Sequence, residues 1–122
     1  QAEALGGLET LVYLGSLPTS TLALASVVLP AAVYVEREGT FTNFEGRVQR
    51  FWQALEPLGE ALPEWDIWVG LAQALGVACA YQNPREVFDD LAQAVDAYAG
   101  LSYETLGKTG APVGVAVTAS AS

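Results

Sequence analysis

The residues of this chain best suited to chemistry fall in one run, Glu36-Arg37-Glu38-Gly39-Thr40-Phe41-Thr42-Asn43-Phe44-Glu45-Gly46-Arg47-Val48-Gln49-Arg50-Phe51. Within it, Glu38, Thr40, Asn43, Glu45 and Arg47 form a candidate set for lining a ligand cleft. Arginine and asparagine offer several donors in fixed geometry, which suits phosphate recognition. A second reading needs no ligand: Asn43 and Gly46 build a turn, and Glu38 and Arg47 pair across the hairpin. Glu36 and Glu38 sit close in sequence, yet no neighbour would separate their pKa values, so acid–base catalysis is not supported. No catalytic residue is assigned.

The elements that must position this run follow from apolar spacing and turn residues. Leu8 to Leu14 reads as a short buried strand, punctuated by Gly15 and Pro18. Thr19-Ser20-Thr21 offers hydroxyl caps for a short helix over Leu22 to Ala25. Val27-Val28-Leu29 is a second strand, stopped at Pro30 because proline cannot donate to a ladder. Strand, short helix, strand predicts a parallel pair with a tight right-handed crossover. Asn43 and Gly46 suit the first and fourth positions of a type I turn between two extended pieces spanning Thr40 to Phe51. Val48 and Phe51 are apolar among Arg47, Gln49 and Arg50, which predicts one polar face open to a ligand or partner.

Two helices follow a turn at Glu56-Pro57-Leu58-Gly59-Glu60. The first spans Glu64 to Leu75, with an acidic first turn, an apolar face of Ile67, Trp68, Leu71 and Leu75, and Gly76 just past its end. The second spans Pro84 to Ala99, with Asn83 as N-cap, Pro84 at the first position and Glu86 at the third. Val87, Leu91, Val95 and Tyr98 line its apolar face, and Gly100 ends it. Ser102 caps one further turn before Gly107. The two helices are expected to cover the edge of the parallel sheet.

Composition excludes several classes. The 122 residues are 52% hydrophobic, enough for a core. The chain opens at Gln1 without a methionine and closes on small residues, as expected of a piece of a longer protein. Its net charge is −9, from 14 acidic and five basic residues, which disfavours nucleic acid and anionic membrane surfaces as partners. The longest apolar run, Leu22 to Val35, is too short for direct membrane insertion and is broken by Ser26 and Pro30. There is no histidine and one cysteine, Cys79. These counts exclude a zinc-type ligand set, a histidine-based triad and an iron–sulfur cluster held by this chain alone, so no metal site is assigned. Cys79 reads as a small buried apolar residue, Trp52, Trp65 and Trp68 as packing residues, and Asp89-Asp90 as a solvated helix face.

Three stretches resemble the molybdopterin oxidoreductase superfamily. The first is Ala25 to Gln49, with Val27-Val28-Leu29-Pro30 and Glu38-Gly39-Thr40-Phe41-Thr42-Asn43. The second is Glu64-Trp65-Asp66-Ile67 with Leu71-Ala72 and Leu75-Gly76. The third is Pro84-Arg85-Glu86-Val87-Phe88-Asp89-Asp90 followed by Tyr98-Ala99-Gly100-Leu101-Ser102-Tyr103-Glu104-Thr105-Leu106. Their order and spacing are similar to the closing part of that superfamily's large α/β region. The resemblance implies an α/β fragment with short parallel strands, a hairpin-like turn and two main helices. Residues 1–110 would be the C-terminal part of the α/β domain and residues 111–122 a small-residue tail.

Departures from the cofactor-binding pattern, Ser26 where the superfamily usually has Asp and Ala111-Pro112-Val113-Gly114 after Gly110, tilt the resemblance toward the large iron–sulfur subunit of NADH–quinone oxidoreductase (respiratory complex I). That implies a structural segment without its own cofactor. Its parent would carry iron–sulfur clusters, lack molybdopterin, contact other subunits and sit on the cytoplasmic side of the inner membrane in a peripheral complex. A first alternative is a molybdopterin-dependent formate dehydrogenase or nitrate reductase, in which Glu38, Thr40, Asn43, Glu45 and Arg47 help hold the pterin cofactor. A second is a non-redox interaction module.

Overall fold

The computed structural model describes residues 2–114. These form two compact units: one takes the chain up to Arg37 together with Gln53–Cys79, the other Glu38–Trp52 and the residues from Ala80 onward.

The first unit opens with a short helix, α1 (Ala2–Gly6), and holds the expected parallel pair. Strand β1 (Val12–Gly15) runs beside β2 (Val27–Pro30) with Val12 opposite Val27 and Leu14 opposite Leu29. β1 is shorter than the apolar run predicts. The crossover is a single 3-10 turn at Leu22–Leu24, and Thr21 precedes it without a side-chain cap bond. The Ser26 hydroxyl accepts from the Leu11 amide at 3.2 Å and so ties the start of β2 to the start of β1. Pro30 is the last residue of β2, where a missing donor costs nothing. The ladder continues past it through the Ala31 amide to the Gly15 carbonyl, 3.1 Å.

Helix α2 (Glu64–Ala74) completes this unit, with Glu64 and Asp66 in its first turn. Gly76 adopts φ +77°, the left-handed geometry of a residue that ends a helix. Ile67 and Val69 are buried, whereas Trp68 and Leu75, read from sequence as core, are 61% and 79% exposed. Arg37 and Glu64 form an ion pair in the same unit.

The second unit is an antiparallel sheet carrying two helices. Strand β3 (Gly39–Thr42) turns at Asn43 into β4 (Arg47–Phe51), with Thr40 opposite Arg50 and Thr42 opposite Val48. Helix α3 (Pro84–Ala94) begins as its sequence dictates: the Asn83 side chain accepts from the Glu86 amide at 3.0 Å. Glu86 reaches back to the Gln82 amide, 2.8 Å. The helix is shorter than the predicted span to Ala99. Val95 is extended at φ −123° and ψ 110°, and a 3-10 turn follows at Asp96–Tyr98. This break brings the Tyr98 ring edge-on to Phe88, 6.3 Å between centroids. Burial on α3 accordingly falls on Phe88, while Leu91 and Val95 are exposed.

Helix α4 (Tyr103–Leu106) is a single turn, capped reciprocally by Ser102 and Thr105. Strand β5 (Ala111–Pro112) then joins the sheet beside β4, with Ala111 opposite Val48. Two residues expected in the tail are thus part of the sheet. Residues 115–122 of that tail lie outside the described residues. Val48, Phe88, Tyr103 and Leu106 form the core of this unit. Helix α3 packs within the second unit through Phe88.

Candidate functional site

Alternation along the hairpin sorts its side chains onto two faces. Glu38, Thr40 and Thr42 share one face with Val48, Arg50 and Trp52, because Thr40 stands opposite Arg50 and Thr42 opposite Val48. Val48 is fully buried in the core. Thr42 Oγ1 lies 3.0 Å from the Tyr98 hydroxyl. Arg50 rests its guanidinium carbon 4.1 Å above the Tyr103 ring and 5.1 Å from the Trp52 ring centre. A cation stacked on aromatic faces gains electrostatic attraction while keeping its hydrogen-bond donors directed outward.

Two polar atoms here are buried and have no partner: Arg50 Nε and the Tyr103 hydroxyl. Tyr103 is 5% exposed. Burial raises its phenol pKa, the nearby Glu38 charge raises it further, and Arg50 opposes both. A buried donor without an acceptor is costly, so such atoms mark places where an acceptor belongs.

The opposite face carries Phe41 stacked on Phe51 at 4.6 Å. The turn itself is built by Asn43 and Gly46. Asn43 Oδ1 accepts from the amides of Glu45 at 3.0 Å and Arg47 at 2.9 Å, and Gly46 adopts φ +73°. Arg47 donates to the Gly110 carbonyl at 2.9 Å and so fastens the turn to the segment leading into β5. Gly110 must be glycine, since its φ is +76° and a Cβ would stand 2.2 Å from the Val48 carbonyl oxygen.

The five candidates from sequence therefore separate. Glu38 and Thr40 share the face of Arg50 and Tyr103, Asn43 and Glu45 occupy the turn, and Arg47 belongs to a backbone contact. No ion pair joins Glu38 to Arg47 among the described residues, because hairpin register sets them at opposite ends. Arg50 and Tyr103 were not in the candidate set. The alternation Val48, Arg50, Trp52 was the available signal for Arg50; Tyr103 carried none beyond lying in a capped turn.

The donor set fits an anionic, acceptor-rich group such as the phosphates and ring carbonyl of a pterin dinucleotide, since both orphaned atoms are donors. Among the described residues no cluster of three or more His, Cys, Asp or Glu side chains would hold a metal ion. No described helix is long and apolar enough to cross a membrane.

Comparison with known proteins agrees with the fold. The family described as molybdopterin oxidoreductase matches residues 7–74. A protein named "Putative formate dehydrogenase" from Staphylococcus aureus (strain bovine RF122 / ET3-1) is 45% identical over 103 residues, covering 84% of this chain and 10% of the relative. One of the same name from strain USA300 is 44% identical over 99 residues, covering 81% of this chain and 10% of the relative. The chain thus spans about a tenth of the length of these relatives. By this match, together with the parallel pair, hairpin and helices described above, the chain belongs to the molybdopterin oxidoreductase family.

Proposed function

We propose that this chain is a segment of a molybdopterin-dependent formate dehydrogenase, and that the Arg50 face of its hairpin borders the cofactor cleft. The observation that carries the reading is the identity of 44–45% to relatives named as formate dehydrogenases. The sequence reading toward a complex I subunit gains no support from those names, and the formate dehydrogenase alternative does. When bound, a molybdopterin centre supplies the redox step in which formate loses two electrons and a proton to give carbon dioxide.

This chain's own residues act by binding and positioning. Arg50 presents donors fixed by stacking on Tyr103 and Trp52. Tyr103, held neutral by burial, offers its hydroxyl as a second donor. Glu38 limits the net positive charge of the site. Asn43, Gly46 and the Arg47–Gly110 contact hold the hairpin that carries them. The immediate partner of the segment is the remainder of its own polypeptide.

The test is formate-dependent reduction of an artificial electron acceptor by the full-length parent protein, with NADH-dependent quinone reduction measured alongside. The reading expects the first and not the second. In the same protein, Arg50→Ala should lower pterin retained after gel filtration while leaving the protein folded. Unchanged retention would remove the Arg50 face from the cleft.

A further inference from the structure

Glu38 and Arg50 share one face of the hairpin without pairing. Glu38 is half-buried, and its charge is felt at the Tyr103 phenol. Among the described residues it forms no ion pair, and no hydrogen bond satisfies its carboxylate oxygens. Arg50 likewise has no carboxylate partner there, and its Nε is buried without an acceptor. Thr40 stands opposite Arg50, so Glu38 is the diagonal neighbour of Arg50, about 7–8 Å away across the ladder.

The carboxylate argues against a purely anionic occupant. Phosphates alone would be repelled by Glu38, and like charges brought together cost affinity. An ionised carboxylate only accepts hydrogen bonds, so its match is a group bearing N–H donors. Arg50 offers donors, and so does the unpartnered hydroxyl of Tyr103, a residue 5% exposed. The occupant must therefore carry donors at one place and an acceptor beside them. Trp52, on the same face and 51% exposed, offers a stacking surface for a planar ring.

We propose that Glu38 selects the ring seated here: it accepts from the amino and ring N–H groups of a 2-amino-4-oxopyrimidine edge, while Arg50 and Tyr103 donate to the carbonyl of that edge. Pterins and guanine share this edge. The inference rests on the reading that the Arg50 face borders the cofactor cleft, and adds the chemistry that meets it.

Pterin release from the loaded full-length parent tests this by its sign. Glu38→Gln removes a charge-assisted acceptor and puts an amide donor against the ring donors, so release should quicken roughly tenfold or more. If Glu38 instead faces phosphate or only offsets Arg50, removing its charge slows release or leaves it unchanged, and either result overturns the proposal. Full-length parent purified free of cofactor gives a second reading. Guanosine against inosine monophosphate, and pterin against lumazine, isolate the amino group. The amino member of at least one pair should bind roughly tenfold tighter. The responding pair tells whether the base end or the pterin end is seated here. Equal binding within both pairs, or no binding of any probe, overturns the proposal. Formate oxidation is measured separately, so formate dehydrogenase activity without this preference would remove the inference and leave the reading it rests on standing.

Discussion

Replacing Tyr103 with Phe isolates one atom of the candidate site. The ring keeps its place under Arg50, 4.1 Å away, and against Phe88, 5.7 Å between centroids, so packing is conserved. Only the buried, unpartnered hydroxyl is lost. In the cofactor-free protein that hydroxyl is a buried donor without an acceptor. Its removal should be neutral or stabilise the hairpin by about 1 kcal/mol, the lower end of the cost of such a group. In the cofactor-loaded protein it donates to the bound group, and its removal should destabilise by about 1 kcal/mol, the net worth of a hydrogen bond. The difference between the two forms is then about 1–2 kcal/mol, roughly fivefold to thirtyfold in the opening equilibrium of β4. Hydrogen exchange of the Val48 to Phe51 amides in loaded and stripped full-length protein reads both values. A shift of the same sign and size in both forms would refute the argument that a bound group meets Tyr103.

Other consequences follow from the same unit. Gly110→Ala forces a Cβ onto the Val48 carbonyl at a left-handed φ, and should destabilise the β4–β5 pairing by about 1–3 kcal/mol, read as lost protection at Val48. Asn43→Ala removes the acceptor of two turn amides and should cost about 1–2 kcal/mol of hairpin stability by the same exchange measurement, with Asn43→Asp retaining most of it. Tyr103 has a folded pKa above its ordinary value of 10.0, from burial first and the Glu38 charge second. The unfolded phenol ionises first, so its contribution is complete below pH 10 and is lost as pH climbs from there through the folded pKa. An alkaline unfolding titration should show this loss in wild type and lack it in Tyr103→Phe.

Local chemistry was legible in the sequence wherever a residue acts within a few positions of itself. Asn43 and Gly46 declare the turn, Asn83 with Pro84 and Glu86 declare the start of α3, and Ser102 declares α4, since each bonds its own neighbouring backbone. The parallel pair was legible because a short helical segment separates two apolar runs, the strand–helix–strand pattern of a parallel crossover, although the connection is shorter than such crossovers usually are. What was not legible depended on distant partners. Val95 looks like a continuation of α3, yet the helix breaks there, and Tyr98 turns back to meet Phe88. Arg47 matches Glu38 by charge, but its partner is a carbonyl 63 positions away. Arg50 and Tyr103 share a site only because β4 and α4 pack around Val48 and Leu106. The apolar faces of α2 were read as core, which is what their composition says; the structure leaves them open on one side.

The most direct test of the account is the molybdenum and pterin content of the purified full-length parent, with iron counted in the same sample. The account predicts near-stoichiometric molybdenum with pterin, retained by the wild type and reduced in Arg50→Ala. Abundant iron with neither molybdenum nor pterin would contradict it, and would return the hairpin from Glu38 to Arg50 to a purely structural role.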